Sequence, residues 1–383
     1  MKKYLFAGLG ALALCVLIIT VWISRVLANL PDVSILKRYR PAVAAEVLDK
    51  DGSLLTNYYD RKFRIWAPIA SLPDIVIKAV VTAEDDTFFE HHGVNFTATR
   101  DAMLHDMQKR RFARGGSTIT QQMIKNVLLS KEKTLTRKIR EYVLARKAEE
   151  ILTKHRILEI YLNEVEWGDN IYGIEAASRF YLGKHASELT SAEAALLAGM
   201  LPNPRYYNPF KRPDKARDRQ ERVLFNMQQA KLITQEEYAA ALQAPLPVRQ
   251  QNPEDGLSAP MAGTARPCYQ QALEEMLGSV VGDQKLYRSG GTIRTTLEKS
   301  LQNELAAWEG ALPDRLAKPS GAVLVVTQGA QIRAIVCAEG REEDVRSKVG
   351  AFSMLLGNYE VSALSPGSVT VEQIILPVDS VQQ

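Results

Sequence analysis

Cysteine is scarce, with three in 383 residues at Cys15, Cys268 and Cys337, and no Cys-x-x-Cys pair. That excludes a disulfide-dense scaffold and a zinc cage built from thiolates. Cys268 and Cys337 could pair only if the fold brought them together in an oxidising compartment. The Gly-x-x-x-x-Gly-Lys spacing is absent, so there is no P-loop. No internal repeat or low-complexity block is present. Net charge is only +4, with 24% charged and 46% hydrophobic residues, a balance that fits one large folded domain or two ordinary ones. Long apolar runs are missing too, with one exception.

That exception is N-terminal, where Lys2 and Lys3 precede an apolar run from Tyr4 to Ser24 closed by Arg25. About twenty apolar residues span a bilayer, whereas a cleavable signal has an apolar core of roughly 7–15. Residues 1–29 therefore read as an uncleaved, single-pass anchor. Lys2 and Lys3 set a cytoplasmic N-terminus, against the weaker pull of Arg25, Lys37 and Arg38. The body of the chain would then lie on the extracytoplasmic, periplasmic face of the cytoplasmic membrane. Leu14 stands where a lipidated Cys15 would need a small residue before it.

Residues 30–70 read as a connecting region with a hairpin from Ala45 to Trp66 around Asp51-Gly52. Helical periodicity dominates 71–244, with segments at Ile75–Asp85, Ser117–Leu129, Leu135–Thr153, His155–Leu162, Gly173–Tyr181, Ser191–Met200 and Pro213–Ala230. A proline-rich linker over 245–265 separates this from 266–383, a small α+β unit with strands at Gly290–Thr296, Ala322–Thr327 and Gln331–Cys337.

Three features carry chemistry. Glu84 lies near the end of an apolar helix in register with Ile77 and Val81; burial would raise its pKa and make it a base near neutral pH, whereas a helix end tilted into water would leave it ordinary. Arg137 and Glu141 share a helical face with Leu144, Ala148, Ile151 and Leu152, opposite Tyr142, Arg146 and Glu149. An apolar stripe is the wrong place for a solvated ion pair worth ~0.3–0.5 kcal/mol. Gly115-Gly116-Ser117-Thr118 opens a helix with Gln121, Gln122 and Lys125, so backbone and hydroxyl donors could meet an anion such as a diphosphate, although an ordinary N-cap has the same pattern. From Arg100 to Arg156 there are fifteen Lys/Arg and six Asp/Glu. Such a strip suits nucleic acid, anionic lipid or diphosphate alike.

Five segments in order, Glu84–Gly93, Gly115–Gln122, Arg137–Glu141, Lys154–Asn163 and Arg219–Met227, resemble the five motifs of the family 51 peptidoglycan glycosyltransferases. The resemblance runs from about Ala45 to Ala244. It implies a lysozyme-like, mainly α-helical fold with a jaw that dips into the membrane, and polymerisation of lipid II into glycan strands with release of undecaprenyl diphosphate. Residue by residue, it implies that Glu84 takes the proton of the acceptor 4-hydroxyl and that Glu141 lies near the donor diphosphate. Ser117, Gln121, Gln122, Lys125, Lys133, Arg137 and Lys138 match positions that hold sugars and diphosphates, and Phe88 matches the aromatic of the first motif. A divalent cation, Mg or Mn, would be an auxiliary; no other cofactor is implied. Arg100 stands one position before the basic residue that members often carry, with Asp101 in its place.

The tail resembles the start of a penicillin-binding transpeptidase domain at Gly290–Glu298 and Gly321–Val336. Ser368 then stands where Ser-x-x-Lys should begin, but the fourth position is Val371, and no Ser-x-Asn or Lys-Thr-Gly follows. The expectation is a truncated or degenerate tail without acyl transfer. The partners implied are lipid II, the lipid-linked glycan chain, the membrane and a separate transpeptidase or wall-synthesis complex, with no nucleic acid. A muramidase-like hydrolase and a non-catalytic scaffold are the rival readings, disfavoured respectively by the basic strip and by the retained Glu84 and Glu141.

Overall fold

The structure is a computed structural model that describes residues 2–95, 116–130, 132, 134–168, 170–249, 268–310, 323–336, 359–364 and 368–376. Arg100, Gly115, Lys133, Cys337, most of the expected linker and the Pro366-Gly367 pair lie outside the described residues. The chain divides into two compact units.

The first unit comprises Met1–Arg40, Ala67–Gly168 and Gly173–Val248. Its first helix, α1 (Lys2–Ala28), has 27 residues, about 40 Å at the helical rise, and is long and apolar enough to cross a membrane. Its side chains from Leu12 to Ile23 are exposed. Among the described residues, eight further α-helices follow: α2 (Asp74–Glu84), α3 (Ile119–Leu128), α4 (Leu135–Ile151), α5 (Lys154–Glu164), α6 (Ile174–Leu182), α7 (Ser191–Met200), α8 (Pro213–Gln229) and α9 (Gln235–Gln243). Threonine starts many of them. The hydroxyls of Thr118, Thr134, Thr153 and Thr234 accept from the backbone N–H three residues on, satisfying donors that the first turn leaves free. Helix α2 starts one residue before the Ile75 of the sequence pattern, at Asp74, after Pro73.

The core follows from α7, whose sequence SAEAALLAGM is small and apolar on every side and is buried from Glu193 to Met200. Helices α2 and α8 flank it, contributing Val76, Ala79 and Val80 from one side and Val223, Leu224 and Met227 from the other. Helix α3 packs on both α4 and α5. The end of α2 and the start of α3 are thereby set beside each other, with α4, α5 and α8 around them. Helix α9 has one buried residue, Ala241, and so little apolar periodicity that the sequence does not announce it.

The second unit comprises Pro41–Trp66, Asp169–Tyr172 and Arg249–Gln383. Strands β1 (Val43–Leu48) and β2 (Leu54–Tyr58) form the expected antiparallel hairpin. The Asp49 carboxylate accepts from the N–H groups of Asp51 and Ser53, and Gly52 takes the φ of +90° that the turn requires. Two-residue strands β3 (Phe63–Arg64) and β4 (Ile171–Tyr172) pair in parallel. Helices α10 (Cys268–Val281) and α11 (Asp283–Tyr287) precede β5 (Ser289–Arg294), and α12 (Lys299–Gly310) leads to β6 (Val323–Gln328), β7 (Gln331–Val336) and β8 (Glu360–Leu364), ordered β7-β6-β8. The last helix, α13, is Val371–Ile374.

The hairpin is not a connector in this structure. β1 pairs in parallel with β5, Val47 opposite Ile293, and Ala45, Val47 and Tyr58 enter a core with Leu273, Leu277, Ile293, Ile335 and Ile374. A parallel partner some 240 residues away leaves no local signal, so residues 41–66 group with the C-terminal unit.

Within the first unit, Gly93 crosses α4 at φ +85°, where an added Cβ would stand 2.7 Å from the Ala145 carbonyl oxygen. Neither the backbone conformation nor the space admits a side chain. Gly93→Ala is expected to destabilise the detergent-solubilised protein by about 1–3 kcal/mol in thermal or denaturant unfolding.

Candidate active site

Glu84 ends α2, and the amide of Gln122, one turn into α3, donates a 2.8 Å hydrogen bond to its Oε2. The residue as a whole is partly exposed, and its carboxyl is desolvated by the protein around it. Burial pushes its pKa above the usual carboxylate range and the adjacent Asp85 adds to this; the Gln122 hydrogen bond and the charges of Arg219 and Lys125 act the other way. This is the buried alternative of the two that the sequence leaves open.

Asp85 fixes this arrangement, although the sequence reading gives it no role. It is buried at the C-cap of α2, and its carboxylate accepts from the Ile119 N–H at 3.0 Å and from His91 Nε2 at 3.0 Å. The first-motif loop is closed at two more points. The Thr118 hydroxyl donates to the Gly93 carbonyl at 2.7 Å, and Lys154 Nζ donates to the His91 carbonyl at 2.6 Å.

A second cluster sits where α3 meets α4. Lys138 Nζ donates to Ser117 Oγ at 2.8 Å and to Glu141 Oε2 at 3.0 Å, while the Arg137 guanidinium pairs with Glu141 Oε1. Glu141 is 2% exposed, in line with Leu144 and Ala148, so this pair belongs to the apolar face and not to the surface. Burial, and then the neighbouring Arg137 and Lys125 charges, pull the Lys138 ammonium down to about 8, while the Glu141 carboxylate beside it favours the charged form. Lys125 bears electrostatically on both Glu84 and Lys138, which links the two clusters.

Two expected contacts are corrected. Phe88, implied as a substrate-binding aromatic, is fully buried, with the Lys154 ammonium over its ring at 4.4 Å and Phe89 and His91 at its edge; Phe89, 52% exposed, is the aromatic of that motif that reaches solvent. Gln121 is also fully buried, because its Oε1 accepts from the Thr118 N–H in a capping box, so it holds the start of α3 and does not face outward. Glu149, placed by periodicity with Tyr142 and Arg146 on the polar face, is buried. It accepts from Thr120 and pairs with Lys154 at 2.7 Å. Among the described residues, no group of three or more His, Cys, Asp or Glu side chains gathers to hold a metal, and Glu141 already faces two cations.

A carboxyl held above its ordinary pKa is less stable when ionised in the fold than in the unfolded chain. Its native pKa exceeds the unfolded value of 4.5, so stability is lost as pH rises from there through the raised value, and then levels off. Glu84→Gln removes this cost while keeping the shape. Its unfolding midpoint should match wild type near pH 4 and exceed it at pH 8. Equal midpoints at both pH values would contradict the burial of Glu84.

The transglycosylase family model matches residues 51–228. Penicillin-binding protein 1A of Aquifex aeolicus is 40% identical over 252 residues, 66% of this chain and 35% of that protein. The Rickettsia prowazekii protein of that name is 33% identical over 309 residues, covering 79% and 38% respectively. The crystal structure of penicillin-binding protein 1A from Haemophilus influenzae aligns with a TM-score of 0.38 at 20% identity, over 76% of this chain and 37% of that one. The chain thus spans well under half the length of the curated relatives it matches. Over residues 51–228, which hold Glu84, Gln122, Lys138 and Glu141, it carries a domain of the transglycosylase family.

Proposed function

We propose that this chain is a membrane-anchored peptidoglycan glycosyltransferase that polymerises lipid II. The observation that carries this reading is the Glu84 carboxyl, raised in pKa and held by Gln122, with Arg219 and Lys125 acting on it and Lys125 acting in turn on Lys138, which neighbours Arg137. One end of such a site can take a proton while the other receives negative charge. In the proposed step Glu84 removes the proton of the acceptor 4-hydroxyl, and that oxygen forms a bond to the donor anomeric carbon with inversion. The bond from that carbon to the diphosphate oxygen breaks, and undecaprenyl diphosphate leaves with the electron pair. Lys125, Lys138 and Arg137 meet the leaving charge, with Glu141 holding Arg137 and Lys138 in place. Charge is met by side chains, and no step is assigned to a metal.

The mainly polymerising role fits this electrostatic layout better than hydrolysis, which needs no anion strip. Helix α1 supplies the anchor, with the body proposed to lie outside the cytoplasmic membrane.

Labelled lipid II incubated with the detergent-solubilised protein should yield polymer that lysozyme digests. Glu84→Gln should lower the rate by at least ~10²-fold, and Arg137→Ala and Glu141→Gln should each remove most activity. Near-normal turnover in Glu84→Gln would sink the base assignment.

We further propose that the C-terminal unit has no transpeptidase activity. Ser368 is exposed and stands three residues before Val371, whose side chain cannot take a proton from the serine hydroxyl as a lysine could. Fluorescent penicillin should leave no covalent band on a denaturing gel. A band that disappears in Ser368→Ala would overturn this and indicate an acylating serine.

A further inference from the structure

Behind Gln122 lies a group that no part of the reaction scheme uses. Tyr161, on α5, is fully buried, and its hydroxyl lies 3.4 Å from Gln122 Oε1, at the outer limit of a hydroxyl contact. The opposite end of the same amide, Nε2, donates to Glu84 at 2.8 Å. An amide has one donating and one accepting end, so the group that satisfies one end decides which end the other neighbour meets.

We propose that Tyr161 is a positioning residue for the reaction, its buried hydroxyl fixing the Gln122 amide so that its NH2 group faces Glu84. This inference rests on the reading of Glu84 as the base. Were the amide to turn over, its carbonyl oxygen would face the carboxylate, an arrangement that repels the ionised form. A phenol oxygen can also accept, so the turned amide could still meet Tyr161, but its carbonyl would then face the carboxylate; the hydroxyl proton on Oε1 and the carboxylate on Nε2 together hold the orientation seen, and without the hydroxyl Oε1 loses that donor. Burial raises the Tyr161 pKa well above that of an ordinary tyrosine, and the charges of Glu84 and Asp85 raise it further, so the hydroxyl keeps its proton across the neutral range. It is a donor that does not titrate.

The other groups bearing on Glu84 are accounted for. Helix α3 presents Lys125 beside Gln122, α8 presents Arg219, and Asp85 follows on the chain. Helix α7, packed against α2, has Glu193 as its one titratable residue, and that carboxylate pairs with Lys184 at 2.8 Å. Among these, Gln122 is the neighbour whose effect on Glu84 reverses sign by rotation about its own side chain, which is why fixing its orientation matters.

The test is the pH dependence of kcat/KM with labelled lipid II for the full-length protein in detergent, in wild type, Tyr161→Phe, Gln122→Ala, the double variant and Glu84→Gln. Tyr161→Phe keeps the buried ring and removes only the donor. With the amide free to turn, the charged form of Glu84 loses support and its pKa rises, so the acid limb should move to higher pH by roughly one unit, the size of one hydrogen bond to a carboxylate. In the Gln122→Ala background the same change should add no further shift, since Tyr161 acts through Gln122. The position of the limb, unlike its height, does not depend on how much protein folds, so a loss of yield cannot imitate the result. An unmoved limb in Tyr161→Phe, or an equal shift with Gln122 absent, overturns the inference while leaving Glu84 as the base. Retained turnover in Glu84→Gln would remove the base assignment and this inference with it.

Discussion

The carboxylate of Asp85 joins two helices that would otherwise have no reason to meet at a fixed distance. Asp85 caps the end of α2 through its own backbone N–H, which donates to the Val81 carbonyl, while its carboxylate accepts from the Ile119 N–H of α3 and from His91. Each of those donors would be costly to bury alone, and a buried carboxylate without them would be costlier still. The two donors pair the Asp85 carboxylate at the meeting of two helix ends, with His91 held through Nε2 alone. Glu84, the preceding residue, and Gln122, three residues further along α3 than Ile119, inherit their separation from it. Their 2.8 Å hydrogen bond follows from where Asp85 holds the backbone.

The two buried carboxyls of the site are separated in character by what surrounds them. Glu141 lies between an ammonium and a guanidinium, which favour its ionised form and hold it as a fixed negative counter-charge. Glu84 has a neutral amide as its direct partner and cations only at longer range, so burial dominates and its affinity for a proton rises. Two residues of the same type are thus set to different work by environment alone: one to exchange a proton, the other to hold cations where an anion is to be received.

Much of the helical unit is legible in the sequence, because threonine caps, apolar periodicity and the fully apolar α7 all speak locally. Helices α3 to α8 fall within two residues of where the pattern puts them at each end. Glu84 and the Arg137–Glu141 face were legible for the same reason: a charge inside an apolar stripe is a local anomaly. What was not legible depends on partners far along the chain. Glu149 reads as a solvated helix residue until Thr120 and Lys154 arrive to pair with it. Asp85 reads as one acid among three, Glu84, Asp85 and Asp86, and only the position of Ile119 distinguishes it. Phe88 and Gln121 carry the right residue types for substrate contact, yet are turned inward by a cation over the ring and by a capping box.

The β1–β5 pairing makes the same point in the second unit, with a consequence for how the chain is organised. A hairpin is a local object, and its turn chemistry at Asp49, Asp51 and Gly52 can be read directly. Its destination cannot, because a parallel partner is chosen by which face is apolar and available, not by nearness in sequence. β1 buries Ala44, Ala45 and Val47 and leaves Glu46 and Leu48 less covered, a pattern that by itself names no partner strand. Once β5 supplies Ile293 to that face, a strand that precedes the helical unit in sequence belongs to a core built from residues that follow it. The second unit therefore cannot complete its sheet until the helical segment between β1 and β5 has been synthesised, so its folding waits on a long-range closure.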